Sequence, residues 1–161
     1  MTDIEKRLRE LIDSRAVVVV GLGNPDRADD GAGIEIARQL KGLVAERVFS
    51  ETEGLEGIVL RILERKDAEV ALFVDAVDFG GRPGEVQIFS DVSFPPCTIS
   101  THEVPLALLS TFLKKEGKET YLLGIQPRTL DFDSEISEEV HRSLGEIAAI
   151  LSPFLYPQNQ A

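Results

Sequence analysis

The sequence predicts an α/β protein: a three-layer sandwich whose mainly parallel, twisted sheet of about five strands has helices on both faces. Strand-like and helix-like segments alternate along the chain, which is the pattern of βαβ units. The strongest strand candidates, 16–21 and 69–77, are unbroken apolar runs, and such runs are typical of parallel strands buried on both faces. Since the chain has 161 residues, we expect a single domain, 1–161, with one sizeable core.

The first half of the chain supplies three predicted helices around its strands. Residues 2–13 form an additional N-terminal helix, because their apolar side chains recur on one helical face. The strand at 16–21 runs into a glycine-rich turn, which a helix from about 32 to 43 follows. The segment 47–51 is a second short strand, and apolar periodicity over 55–63 predicts the third helix.

The second half continues the alternation after the buried strand. The segment 85–89 alternates apolar and polar residues, which indicates a strand at the edge of the sheet. A proline suited to a first turn and a closing glycine bracket a helix over 105–115. The last strand is 120–125, and a regular apolar stripe over 136–151 predicts the last helix. Residues 152–161 are expected to be a frayed tail.

Composition limits the possible partners. The net charge is −11, from 28 acidic and 17 basic residues, which argues against nucleic acid and fits a basic peptide or a metal ion. The single cysteine, Cys97, provides no disulfide framework, as in proteins of a reducing cytoplasm. No apolar run reaches the length of a membrane span, and the charged N-terminus carries no secretory signal. We therefore expect a cytoplasmic protein without membrane insertion.

Polar, metal-capable side chains stand near the ends of the predicted strands. Asp29 and Asp30 follow the first strand in the stretch VVVVGLGNPDRADDGAG, Asp75 ends another strand, and His102 precedes a helix. Ligands of open α/β sheets bind in the crevice at the carboxyl ends of the strands, so these positions are expected to converge. Two carboxylates and one imidazole suit a divalent ion such as nickel, zinc or manganese, with coordination positions left open.

Each of these side chains also has a purely structural interpretation. Asp29 or Asp30 can cap the helix that follows, since Asp is a preferred N-cap residue. Asp75 can be hydrogen-bonded to its own turn, and Asp78 is expected to support that turn. His102 can mark a helix entry without any chemical role. The residues alone leave both interpretations open.

The remaining candidates are weaker. Gly124 and Gln126 end the last strand, where they form either a turn or a substrate-binding wall of the crevice. Cys97 has no neighbouring base in the sequence to activate its thiol, and His141 is expected to be a solvated helix residue. The glycine turn lacks the third glycine of the dinucleotide fingerprint, and the two aspartates at the helix entry would repel a pyrophosphate. We therefore expect no nucleotide cofactor.

Four segments, in order, resemble the hydrogenase maturation endopeptidases. They are GLGNPDRADDGAG, FVDAVDFGGRPGEV, STHEVPLALL and LLGIQP, and the resemblance covers roughly residues 17–140. The LGIQP segment is most similar to the branch that serves formate-linked, membrane-bound [NiFe]-hydrogenases. The resemblance implies a twisted sheet flanked by helices.

The resemblance also implies an activity. Members of the family are aspartyl-type endopeptidases that remove a C-terminal extension from the precursor of the hydrogenase large subunit after nickel insertion. Their three nickel-contacting residues correspond by motif to Asp30, Asp75 and His102, with nickel supplied by the substrate. Many relatives have Glu at the position of Asp30. The general base that activates the attacking water is left open among Asp29, Asp30 and Asp75.

Two other functions compete with this one. A nickel-dependent checkpoint or chaperone would keep the metal ligands and bind the large subunit without cutting it. A peptidyl-tRNA hydrolase also opens with a strand and GLGNPG, but here Asp26 replaces the last glycine, the TRHN segment is absent and the composition is acidic.

Overall fold

The computed structural model describes residues 2–90 and 106–156 of the chain. The described strands are β1 (Val17–Gly21), β2 (Val48–Ser50), β3 (Val70–Ala76), β4 (Val86–Ser90) and β5 (Glu119–Ile125). The described α-helices are α1 (Thr2–Ile12), α2 (Ala32–Lys41), α3 (Leu55–Glu64), α4 (Leu106–Lys115) and α5 (Glu138–Leu155). Short 3-10 turns at Ala28–Gly31 and Glu51–Glu53 follow β1 and β2.

The described strands form one sheet in the order β2-β1-β3-β5-β4. Four of them run parallel, and β4 pairs antiparallel with β5 at the edge, so the predicted fold class and the edge position of this strand are confirmed. In the register of the sheet, Gly21 pairs with Ser50 of β2 and with Val74 of β3. The carboxyl ends of the four parallel strands therefore share one edge of the sheet, where the sequence predicts the crevice.

Apolar side chains cover both faces of the sheet. Helices α1, α2 and α5 pack on one face, and α3 and α4 pack on the other. Because side chains alternate along a strand, Val17 and Val19 belong to the first core, whereas Val18 and Val20 belong to the second. The helices of the described segments are amphipathic elements of this sandwich, and none is long and apolar enough to cross a membrane.

The last helix is longer than the sequence predicts. Residues 152–155 continue α5, although Ser152 and Pro153 were expected to begin the frayed tail, so the tail boundary is wrong. Leu151 and Leu155 are both 1% exposed and lie one helical turn apart on the face that packs into the core. Burial of this face holds the last turn in a helix despite the proline, since tertiary packing supplies most helix stability.

Candidate active site

The glycine turn after β1 lies close to both Asp30 and Asp75. A Cβ built on Gly23 would lie 1.9 Å from the carbonyl oxygen of Asp30 and 3.5 Å from Oδ1 of Asp75. The φ of Gly23 is +131°, which L side chains rarely adopt, so both its space and its conformation require glycine. The N–H of Asn24 donates to the Asp30 carbonyl oxygen at 3.0 Å. The backbone carbonyl of Asp30 and the carboxylate of Asp75 thus both lie within 4 Å of the Cβ position built on Gly23.

Both of these acids are buried. Asp30 is 1% exposed and lies in the 3-10 turn before α2, whereas Asp75 is fully buried at the end of β3. Oδ1 of Asp75 accepts a hydrogen bond from the N–H of Ala76 at 2.8 Å. The N-cap residue of α2 is Gly31, so the interpretation of Asp29 or Asp30 as the N-cap residue of this helix is wrong.

Asp29 holds a distant loop. Its Oδ2 accepts hydrogen bonds from the N–H of Arg128 at 2.7 Å, the N–H of Thr129 at 3.1 Å and Oγ of Ser137 at 2.8 Å. Its Oδ1 accepts from the N–H of Ser137 at 2.7 Å, and its own N–H donates to the Thr129 carbonyl at 3.1 Å. All four hydrogen bonds that the carboxylate accepts come from this loop, three on Oδ2 and one on Oδ1. The fully buried Asp29 therefore joins the glycine turn to the segment 128–137.

Gln126 braces the loop between β3 and β4. Its side-chain carbonyl accepts from the N–H groups of Phe79 at 2.9 Å and Gly81 at 3.1 Å, and its amide donates to Asp78 at 3.1 Å. The hydrogen bond from Gln126, followed by that from the N–H of Gly80, lowers the pKa of Asp78 below its usual range. Asp78 thus supports its turn as expected, and the buried Gln126 fixes the loop that follows β3.

Gly124 lies beside Asp75 in the register of β3 and β5. A Cβ at this position would lie 2.9 Å from the ring of Phe89 and 3.0 Å from a methyl group of Val77. Glycine is therefore needed to let these two apolar side chains pack on β5. The substrate contacts of Gly124 and Gln126 remain predictions.

Sequence reasoning missed one acid at this edge, Glu51. This half-buried residue directly follows β2, and its Oε2 accepts a hydrogen bond from the N–H of Gly23 at 2.7 Å. The signal that could have found it is the one used for Asp75: an acid at the carboxyl end of a predicted strand. The sequence pattern of 47–51 predicts a strand that includes Glu51, whereas β2 ends at Ser50.

The predicted metal trio is described in part. His102 and Cys97 lie outside the described residues. Across 2–90 and 106–156, no three His, Cys, Asp or Glu side chains form a group that could hold a metal ion. His141 is exposed on α5, in agreement with its assignment as a solvated residue.

Comparison with known protein sequences identifies the family. Residues 54–153, well over half of the chain, match the family HycI, hydrogenase maturation protease. The hydrogenase 3 maturation protease of Escherichia coli K12 is 32% identical over 118 residues, which cover 71% of this chain and 75% of that protein. The hydrogenase expression/formation protein HupM of Azotobacter chroococcum is 28% identical over 149 residues, covering 86% of this chain and 71% of that protein.

Solved structures lead to the same family. The [NiFe] hydrogenase maturation protease HycI from Thermococcus kodakarensis has a TM-score of 0.79 and 29% identity, covering 92% of this chain and 98% of that one. The endopeptidase HycI from Escherichia coli has a TM-score of 0.74 and 26% identity, covering 86% and 90% of the two chains. This assignment replaces the peptidyl-tRNA hydrolase alternative. The chain belongs to the hydrogenase maturation protease family and is an endopeptidase, a hydrolase that acts on peptide bonds.

Proposed function

We propose that this endopeptidase removes the C-terminal extension of a [NiFe]-hydrogenase large-subunit precursor after nickel insertion. The observation that carries the proposal is the pair of buried acids, Asp30 and Asp75, whose main chain and carboxylate, respectively, lie near Gly23 at the carboxyl edge of the sheet. The resemblance of the LGIQP segment favours the branch that serves formate-linked, membrane-bound hydrogenases, and the hydrogenase 3 maturation protease of Escherichia coli is among the relatives of this chain. The lone cysteine and the composition favour the cytoplasm as the place of the reaction.

Nickel enters the proposal as part of the substrate. Asp30, Asp75 and His102 are the proposed contacts, and their oxygen and imidazole donors suit a divalent ion of this hardness. Asp75 lies at the end of β3 and Asp30 in the turn before α2, at the edge of the sheet where open α/β sheets receive their ligands. The ion, when bound, would mark the precursor as nickel-loaded and would polarise the scissile carbonyl.

The general base of this aspartyl-type reaction is assigned to Asp30 or Asp75. A base must come within hydrogen-bond reach of the water that it deprotonates. Both oxygens of Asp29 accept hydrogen bonds from the loop 128–137, with four donors on two atoms. Asp29 is therefore proposed to be a structural anchor, which narrows the three candidates to two.

The test is incubation of the protein with nickel-loaded precursor, followed by mass spectrometry of the large subunit. Loss of the C-terminal peptide supports the endopeptidase, whereas stable association without any loss of mass supports the checkpoint alternative. We expect His102→Ala to abolish processing and to keep the wild-type circular dichroism spectrum. The matched control is His141→Ala, which changes an exposed histidine of α5 and should cleave normally. Normal cleavage by His102→Ala would contradict the ligand assignment.

A second measurement concerns the metal itself. Since three protein donors leave the coordination shell incomplete, the purified protein without precursor is expected to bind nickel only weakly. Isothermal titration with Ni²⁺ measures this affinity directly. Tight, stoichiometric nickel in the isolated protein would contradict recognition of an ion that the substrate supplies.

A further inference from the structure

Three successive N–H groups hold the glycine turn. That of Leu22 donates to the carbonyl oxygen of Val74 at 2.8 Å, and that of Asn24 donates to the carbonyl oxygen of Asp30 at 3.0 Å. These two bonds join main chain to main chain. The N–H between them, that of Gly23, instead donates to the side chain of Glu51 at 2.7 Å. One side chain thus takes part in fixing the turn that touches both proposed reacting acids.

The position of Glu51 is itself well determined. Gly21 pairs with Ser50 in the sheet, so the residue that follows β2 lies beside the residues that follow β1. Glu51 is the first residue of a 3-10 turn that has a capping box. In it, the Ser50 side chain accepts a hydrogen bond from the backbone N–H of Glu53, and the Glu53 side chain accepts one from the backbone N–H of Ser50. Lys41 of α2 pairs with Glu53 at 2.6 Å and ties this turn to the neighbouring helix. Because Glu51 is held in place by these contacts, its hydrogen bond with the N–H of Gly23 fixes the position of that glycine.

We propose that Glu51 is a positioning residue of the reaction, whose carboxylate sets the relative placement of Asp30 and Asp75 through Gly23. The inference rests on the proposed function, because it takes these two acids as the reacting pair. The residues on either side of Gly23 are bonded to the main chain next to these acids: Asn24 to the Asp30 carbonyl oxygen and Leu22 to that of Val74, which precedes Asp75. A shift of the turn at Gly23 therefore acts through these two hydrogen bonds on the main chain that carries Asp30 and Asp75.

A carboxylate suits this task better than a neutral acceptor. Hydrogen bonds to ionised groups are shorter and stronger than those between neutral groups, and the Glu51 bond is short. A glutamine retains a side-chain carbonyl that can accept from Gly23, whereas alanine removes the acceptor. Glu51→Gln thus tests whether an uncharged acceptor is sufficient, and Glu51→Ala removes the acceptor together with the side chain.

The kinetic test compares Glu51→Ala and Glu51→Gln with wild type on nickel-loaded precursor. Misplacing reacting groups by about 1 Å can slow a reaction by up to about 100-fold, so we expect Glu51→Ala to lower kcat by about 10- to 100-fold. KM for the precursor should change less than about twofold, because the substrate contacts remain. Glu51→Gln should stay within about threefold of wild type, since the acceptor is kept. Glu56→Ala, an exposed glutamate in the first turn of α3, is the control.

A second readout is independent of cleavage. Amide hydrogen exchange of Gly23, followed by NMR, should be slow in the wild type and in Glu51→Gln, and at least about tenfold faster in Glu51→Ala. Unchanged Gly23 exchange in Glu51→Ala, or wild-type kcat in that variant, would overturn the inference. If the wild type does not cleave the precursor, the proposed function fails, while the exchange result still decides whether Glu51 holds the turn.

Discussion

Replacing Asp29 by alanine is expected to destabilise the protein strongly, because it removes the anchor of the loop 128–137. The carboxylate accepts four hydrogen bonds, three of them from backbone N–H groups. Leaving a buried donor unsatisfied costs about 1–3 kcal/mol, but water that enters the truncated site recovers part of this. We therefore expect a loss of about 3–5 kcal/mol in the free energy of unfolding. At about 2–4 °C per kcal/mol for a protein of this size, Tm should fall by about 10 °C.

Urea unfolding followed by circular dichroism measures this loss. Asp29→Asn should lose much of the same stability, since its amide group turns two acceptor sites towards donors. Asp26→Ala is the matched control, because it removes an exposed aspartate from the same turn and should change the free energy of unfolding by less than about 0.5 kcal/mol. An Asp29→Asn protein that unfolds like the control yet cleaves no precursor would refute the anchor role and restore Asp29 as the base.

Two further predictions concern packing and pH. Gly33→Ala should lower the free energy of unfolding by about 1–3 kcal/mol, because the new Cβ would lie 2.2 Å from two backbone carbonyl oxygens. Gly57→Ala is the control, since a Cβ there meets open space. Thermal melts of both variants test this, and equal Tm values would contradict it. The hydrogen bond from Arg15 lowers the pKa of Glu119 below 4.5, so the pair stabilises the fold above that pH and loses its effect as the pH falls through the lowered pKa. Glu119 is more than half exposed, so Arg15→Gln should lower the free energy of unfolding by less than about 1 kcal/mol, and only at a pH above the lowered pKa. A loss of stability that persists at pH 2 would contradict the role of this ion pair.

Local patterns were sufficient to predict most of the fold. The run Val17–Val20 is apolar at every position, and such a strand can be satisfied only between helices on both faces. The alternation in β4 left polar Gln87 exposed, which is compatible with an edge position. The end of α5 could not be predicted in this way, because Pro153 is a local breaker whereas the burial of Leu155 depends on packing against the rest of the core.

The candidate site divides in the same way. The place of Asp75 could be predicted, because an acid at the end of a buried parallel strand lies at the carboxyl edge of the sheet, where the structure has it. The chemical roles of Asp75 and Asp30 stay predictions. The function of Asp29 could not be predicted, since its partners are about 100 residues away, at a separation of 99 for Arg128.

What the sequence by itself determined is therefore the set of strands and helices, the edge at which they place the acids, and the family. Only the tertiary structure decided that Asp29 binds a loop rather than capping α2. It also decided that Glu51, the residue after β2, accepts the hydrogen bond of the Gly23 N–H. The physical reason is the separation along the chain over which each interaction acts. Periodicity and turn chemistry act between residues that are near in the chain, whereas hydrogen bonds of a buried carboxylate depend on which distant N–H groups the packed sheet brings to it.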